Sequence, residues 1–437
     1  MRHVDTLIFA GWVIPVDPEG VVLEQHAIAI QDGQIEGILP ADEAVRQFSA
    51  RITHRLHNHA LIPGLINAHT HAAMTLFRGF ASDLPLMEWL QHHIWPAEQK
   101  WVGAEFVADG TGLAVAEMLL AGVTCFNDMY FFPDVTANVA ATAGMRCCVG
   151  LIIVDFPTIW ADNPAAYFQK ADEVYQRFQG HQLVRTAFAP HAPYSVCEDS
   201  LKEIVKRAES YQIPIHIHLH ETTAEIHQYQ EKHHERPLNH LDRLGMVSEK
   251  LLAVHATQLN NADIACLQHR GAHIIHCPES NLKLASGFCP VDELLNLEIN
   301  VALGTDGAAS NDDLDMLGEM HTAALLAKGV SGNASAVPAA KALSMATLNG
   351  AKALGIQDIT GSLTVGKAAD IVAVEMQTFA TQPLYNLLSQ LVYASTRDQI
   401  TDVWVDGRHV VKSKTLTSFD VHELQAKINY WATNIAS

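Results

Sequence analysis

Leu61-Ile62-Pro63-Gly64-Leu65-Ile66-Asn67-Ala68-His69-Thr70-His71 carries an apolar run into two histidines separated by one residue. A short, Ile- and Leu-rich run of this kind reads as a buried strand. Side chains alternate faces along a strand with a period of two, so His69 and His71 point the same way. Two imidazoles converging from one strand end form half of a metal site. A lone His-x-His is more often two polar turn residues. What decides is whether the rest of the chain supplies the missing ligands from comparable positions.

Working outward, strand-like apolar runs recur at 123–126, 146–153, 184–188, 214–218, 251–255, 272–276 and 300–304. Amphipathic helical patterns lie between them, for example at 104–121, 164–178 and 198–211. Eight β-runs, mostly followed by helical patterns, over residues 60–362 predict an α/β protein built on a (β/α)8 barrel. An open doubly wound sheet fits less well. No Gly-x-Gly-x-x-Gly turn is present, and the reactive residues stand at the ends of many strands. Residues 77–101 form a long, Trp-bearing insertion after the first strand, placed to cover a pocket.

The two ends of the chain share a different texture. Residues 6–9, 12–16 and 27–30 read as strands, and Asp32-Gly33 turns into 35–38 as a hairpin. Asp370-Ile371-Val372-Ala373-Val374 is strand-like, and 403–411 reads as another hairpin about Asp406-Gly407. Neither end has enough strands for a stable sheet of its own. The expected organisation is therefore one small β domain formed from residues 1–59 and 363–437, with the barrel of 60–362 inserted between them.

Composition sets the outer limits. The chain has 437 residues, 49% hydrophobic and 17% charged, and a formal net charge of −20. A surface this acidic argues against nucleic acid or an anionic membrane as partner. No apolar run approaches the ~18 residues of a membrane span. Met1-Arg2-His3-Val4-Asp5, with the apolar stretch behind it broken by Gly11 and Asp17, has the pattern of neither a signal nor a transit peptide. The seven cysteines are scattered without a Cys-x-x-Cys pair, as reduced and mostly buried thiols would be. A cytoplasmic protein is expected. A homo-oligomer is compatible with all of this.

Barrel enzymes build their sites at the C-terminal ends of the strands. The first strand ends in His69 and His71, the fourth runs into Ala189-Pro190-His191, and the fifth gives His218-Leu219-His220-Glu221. The sixth gives His255 and the eighth Thr305-Asp306-Gly307. His69, His71, His218 and Asp306 would make an N/O site suited to Zn2+, with Fe2+ or Mn2+ as other candidates. Glu221 and His255 remain as acid/base groups beside it. Each has a plainer reading. His216 shares a strand face with His218 and could be the ligand instead; His218 is preferred as nearer the strand end. Asp306 could only cap a helix, His220 should point away, and His276 could be a packed core histidine.

Together these features closely resemble the amidohydrolase superfamily, whose members hold one or two metals at the mouth of a (β/α)8 barrel. The resemblance covers essentially the whole chain. It narrows to the 5′-methylthioadenosine/S-adenosylhomocysteine deaminases and their chlorohydrolase relatives. The strings that carry it are 63–71, Thr75-Leu76-Phe77-Arg78-Gly79, Glu88-Trp89-Leu90, Pro96-Ala97-Glu98, His191-Ala192-Pro193-Tyr194 and His276-Cys277-Pro278-Glu279-Ser280-Asn281. Binuclear members bridge their metals with a carboxylated lysine at the end of strand 4. The run 183–188 has no lysine, which implies one metal.

The resemblance implies a TIM-type metal-dependent hydrolase that converts an adenine nucleoside to its inosine analogue plus ammonia. It makes Glu98 the acceptor for the ribose hydroxyls and His191 the imidazole at the adenine ring. Trp89, Trp95 and Leu86 are candidates for an apolar wall. Asp306 would act as ligand and base, His255 would orient the attacking water, and Glu221 would protonate N1. Relatives that accept S-adenosylhomocysteine are expected to place arginine near the top of strand 3. This chain has Leu151 at the aligned position and no arginine in 150–160, so 5′-methylthioadenosine, or adenosine, is the expected substrate. Only Arg78 in the lid could serve a charged tail. A guanine deaminase or a triazine hydrolase is the enzymatic rival, and Glu98 argues against both. A metal-free barrel acting as a binding protein is the rival from another class; retention of all four ligands argues against it.

Overall fold

The computed structural model describes residues 1–436; Ser437, the last residue of the expected C-terminal segment, lies outside the described residues. Eight parallel strands form one sheet in sequential order: β1 (Leu65–Thr70), β2 (Val123–Asp128), β3 (Arg146–Ile153), β4 (Val184–Pro190), β5 (Ile215–Leu219), β6 (Leu251–His255), β7 (His273–His276) and β8 (Val301–Leu303). Every residue of β1, β2 and β3 is buried, as strands covered on both faces require. The helices at Pro164–Phe178 and Glu198–Tyr211 fall where their apolar spacing puts them, whereas Ala104–Leu120, expected to be amphipathic, is buried on nearly every face.

The sheet closes where β8 meets β1, through side chains as well as backbone. Thr305 N–H donates to Asn67 Oδ1 at 3.0 Å, Asn67 Nδ2 donates to Thr305 Oγ1 at 2.7 Å, and Asp306 N–H donates to the His69 carbonyl at 3.0 Å. Gly304 makes this approach feasible, because a Cβ there would lie 2.7 Å from His69 N. The seam thus sets the last strand's Asp306 directly beside the first strand's histidines.

A second, nine-stranded sheet holds both chain ends. Its order is Thr415–Leu416, Arg408–Lys412, Ile400–Val405, Ile371–Glu375, Phe48–Pro63, Arg2–Val13, His26–Gln31 and Gln34–Pro40, with Leu23–Glu24 beside Arg2–Val13. The ends join where Ile371–Glu375 runs antiparallel to Phe48–Pro63, pairing Ile371 with Pro63. Both hairpins form, at Ala29–Gly37 and at Val405–Arg408. The 16-residue strand Phe48–Pro63 begins well before the apolar run at Leu61, in a polar stretch with no strand signal. Its Arg51, Ile52, Arg55 and His57 are exposed, so the polar half carries no apolar alternation.

The stretch Leu61–His71 divides between the two sheets. Leu61, Ile62 and Pro63 finish the small-sheet strand, and Leu65 begins the barrel. Gly64 makes the handover, and a Cβ there would collide with the Thr124 side chain. At the barrel's lower end Arg146 is buried and holds Asp370 with two guanidinium nitrogens, at 3.1 and 3.3 Å, fastening barrel to small sheet.

The insertion after β1 folds into short helical pieces: Ala72–Phe77, Leu86–Trp89, a π turn at Leu90–Ile94, and Trp95–Trp101. Its base packs Phe77 on Phe106, and Phe106 on Trp431 of the C-terminal helix Val421–Ile435. Trp431 Nε1 donates to buried Asp109 at 2.9 Å, which fixes that helix against the lid's support. All seven cysteines are unpaired and five are buried. No described helix is long and apolar enough to cross a membrane.

Candidate metal centre and substrate cavity

His69 and Asp306 lie at the seam, His71 just beyond the end of β1, and His218 on β5. Their ligand atoms all fall within 4.8 Å of one another. Asp306 Oδ1 is 3.2 Å from both His69 Nε2 and His71 Nε2, and His218 Nε2 is 3.2 Å from His69 Nε2. The outer ring nitrogens are occupied. His71 Nδ1 donates to the Met129 carbonyl at 2.5 Å and His218 Nδ1 to the His191 carbonyl at 2.8 Å. Neutral imidazoles held this way turn bare Nε2 lone pairs inward, the arrangement a metal needs.

The electrostatics call for a cation at this point. Burial pushes the His69 imidazole down to about 4 and His218 well below its ordinary value. For His71 burial acts in the same direction, but the bond and charge of Asp306 override it and raise the ring to about 9. Burial opposes ionisation of Asp306 too; its bonds from His69 and His71 nevertheless hold the carboxylate well below the usual range. Three imidazoles and a carboxylate are a donor set suited to a zinc-class ion, which would take the place of the proton that Asp306 draws to His71. Asp306 is fixed further by Ser280 Oγ at 2.6 Å and Ser310 Oγ at 2.8 Å, both on Oδ2, and by the Gly307 N–H on Oδ1 at 2.8 Å. It therefore caps the next turn while facing the histidines.

His216 stands behind the cluster, its Nε2 at 2.9 Å from His69 Nδ1, and is outside the set of four. His220 points away, accepting from the Leu238 N–H at 3.2 Å and lying 3.6 Å from Asp263. His276 is buried with Nδ1 unpartnered and does not line the cavity above the metal centre.

That cavity has a volume of about 760 Å³ and opens beneath the lid. Glu221 and His255 stand in its wall, His255 Nε2 3.7 Å from Glu221 Oε2. Burial raises the Glu221 carboxyl above its ordinary value, and nearby Asp306 adds to the rise while His255 opposes it. A carboxyl biased towards its protonated form is suited to give a proton. His255 is held through Nδ1 by Asn281 Oδ1 at 2.8 Å. His191 is driven down to about 4 by burial and so presents a neutral ring; its Nδ1 meets Ser195 Oγ at 3.0 Å. Glu98, on the lid, lines the same cavity, and burial lifts its carboxyl to about 7 against the pull of Tyr130 and His71. Trp89, Trp95 and Leu86 supply apolar wall.

One expectation about the wall is corrected. Leu151 is buried in the core and does not reach the cavity; Ile152 and Val154 do. Alternation along β3 places the pocket-facing residues one position later than assumed. Arg78 does not reach the cavity either, since it binds Glu117 and the Asp312 carbonyl. Sequence reasoning missed Tyr130 and Tyr194, in loops, and Ser280 and Ser310, in the short helices Pro278–Lys283 and Ala308–Asn311, where no periodicity marks them.

Clustered His and Asp ligands beneath a cavity that also holds a carboxyl biased towards its protonated form define a metal-dependent hydrolase of the barrel type. The chain belongs to the amidohydrolase family, whose model matches residues 60–410. It is 47% identical to a protein of Saccharophagus degradans named 5-methylthioadenosine/S-adenosylhomocysteine deaminase, over 99% of this chain and 97% of that one. A Teredinibacter turnerae protein of the same name is 45% identical over 99% and 98%. Among solved structures, an adenosine deaminase from Xanthomonas campestris with bound zinc is 49% identical. It superposes with a TM-score of 0.99, covering 100% of this chain and 99% of that one.

Proposed function

We propose that the protein is a zinc-dependent aminohydrolase that removes the 6-amino group of an adenine nucleoside, with 5′-methylthioadenosine as its preferred substrate. The observation that carries this reading is the placement of Glu221, His255, His191 and Glu98 around one cavity above the His69, His71, His218 and Asp306 cluster. The names of relatives at 45–49% identity over nearly the whole chain support the same reaction.

One zinc ion held by those four residues would supply Lewis acidity and an activated water near neutral pH. The chain's own groups do the rest. Glu221 gives a proton to N1 of the purine, drawing electron density away from C6. His255, aimed by Asn281, orients the attacking water. Asp306, steadied by Ser280 and Ser310, accepts the proton that water gives up and passes it to the 6-amino nitrogen, so that the C6–N bond breaks and ammonia leaves. His191 meets the purine ring as a neutral partner, and Glu98 accepts from the ribose hydroxyls with charge-assisted hydrogen bonds.

The 5′ end of such a nucleoside would face Ile152, Val154, Phe156 and Ile159. Among the described residues no lysine or arginine lines the cavity, which supports a thiomethyl tail over a zwitterionic amino acid. A cytoplasmic location belongs to this proposal and agrees with seven unpaired cysteines. The test is ammonia release from a panel of 5′-methylthioadenosine, S-adenosylhomocysteine, adenosine, adenine, guanine and a triazine. Turnover of the nucleosides above the free bases and the triazine is expected; guanine or triazine as the best substrate would refute the reading.

A further inference from the structure

Tyr130 follows β2 immediately and lies in the wall of the substrate cavity, yet it is only 4% exposed. Its hydroxyl is buried and completes no hydrogen bond of regular geometry, although the Glu98 carboxyl is close enough to act on it as a side-chain partner. Several other buried polar atoms are unpartnered, but among the described residues Tyr130 is the only such side chain that lines this cavity. A buried hydroxyl left unpaired costs about 1–3 kcal/mol, so its presence here asks for a partner within the cavity wall.

The surroundings identify that partner. The hydroxyl lies beside the Glu98 carboxyl, which acts on it more strongly than Asp128 does. Glu98 in turn has Tyr130 as its leading polar neighbour. Glu98 and Tyr130 line the same cavity, and the hydroxyl itself is shielded from solvent. The tyrosine backbone is firmly placed as well. The preceding Met129 carbonyl accepts from His71, and the Tyr130 ring packs on Phe131 at 5.4 Å and near His71 at 6.4 Å.

We propose that Tyr130 is the positioning residue for Glu98, its hydroxyl donating to the carboxylate oxygen turned away from the substrate. This rests on the nucleoside reading, in which Glu98 receives the ribose diol. Donation from behind fixes the carboxylate's rotamer and leaves its outward lone pairs for the two ribose hydroxyls. Specificity for a ribose over a sugar without the diol is therefore set by the pair, and Glu98 alone is insufficient.

The experiment compares adenosine with 2′,3′-dideoxyadenosine in wild type, Y130F, E98A and the double variant, reading kcat and KM separately. Binding of inosine and 2′,3′-dideoxyinosine by calorimetry provides a readout that needs no turnover. Y130F removes one oxygen and keeps the ring. Wild type should favour the diol-bearing ligand, and Y130F should cut that preference about tenfold or more, the worth of one hydrogen bond to a charged group, mainly through KM. In the E98A background Y130F should change the preference no further. A merely structural tyrosine would weaken both ligands equally and leave their ratio intact; that result overturns the proposal. Wild type that binds both equally overturns the diol role of the pair. Wild type that neither deaminates nor binds any nucleoside overturns the nucleoside reading itself, an outcome distinct from the other two.

Discussion

His69 Nε2 stands 3.2 Å from Asp306 Oδ1 across the seam where the first and last barrel strands meet. Closure of the barrel and assembly of the metal centre are thus one event. Asp306→Ala should fold and lose its metal, because it leaves three imidazoles without the anion that draws a cation among them. Ser280→Ala, which frees Oδ2 of one donor, should weaken metal affinity by about 10–100-fold while retaining the ion at saturation. Metal content by mass spectrometry after equilibration with a competing chelator distinguishes the two. Full metal retention in Asp306→Ala would remove it from the ligand set.

Glu221→Gln should keep its metal and lose about 10²–10⁴-fold in kcat, since the amide preserves shape but cannot give up a proton to N1. Single-turnover kinetics on protein of verified metal content makes the measurement. A rate within a factor of a few of wild type would assign the proton transfer elsewhere.

The proposed role of Glu98 requires the ionised carboxylate, and burial holds that carboxyl up at about 7. Protonation as the pH falls through about 7 removes the acceptor for the diol. The kcat/KM ratio of adenosine to 2′,3′-dideoxyadenosine should therefore decline on the acid side of neutrality, and level off above it. A ratio that does not change between pH 5 and 9 would contradict the role.

The cavity wall at Ile152, Val154, Phe156 and Ile159 offers no charge to a zwitterionic tail. Burying an unpaired carboxylate costs at least about 1–3 kcal/mol, so kcat/KM for 5′-methylthioadenosine should exceed that for S-adenosylhomocysteine by about tenfold or more. Ile159 is 57% exposed at the cavity's rim and can be replaced without opening the core. Ile159→Arg should narrow the gap. A wild-type preference for S-adenosylhomocysteine would sink the argument.

Much of the site was legible because strand periodicity is strict. His69 and His71 had to share a face, and strand-end position set His218 ahead of His216; His218 stands in the cluster and His216 behind His69. The same rule misplaced Leu151, because one residue of phase exchanges core for cavity, and only the barrel's register settles the phase. Phe48–Pro63 escaped because its polar half has exposed Arg and His where an alternating strand would place apolar residues. Tyr130 and Ser280 escaped for a different reason. Their roles come from what folds opposite them, Glu98 and Asp306, and no local spacing records that.

The central claim is metal-dependent deamination of a nucleoside at this one site, and the most direct test is a reconstitution. Protein stripped with chelator is titrated with zinc while ammonia release from 5′-methylthioadenosine is followed. The account predicts no release from stripped protein, and activity that rises linearly to a plateau at one zinc per chain. Undiminished ammonia release without metal, a plateau only at two, or no ammonia at any loading would contradict it.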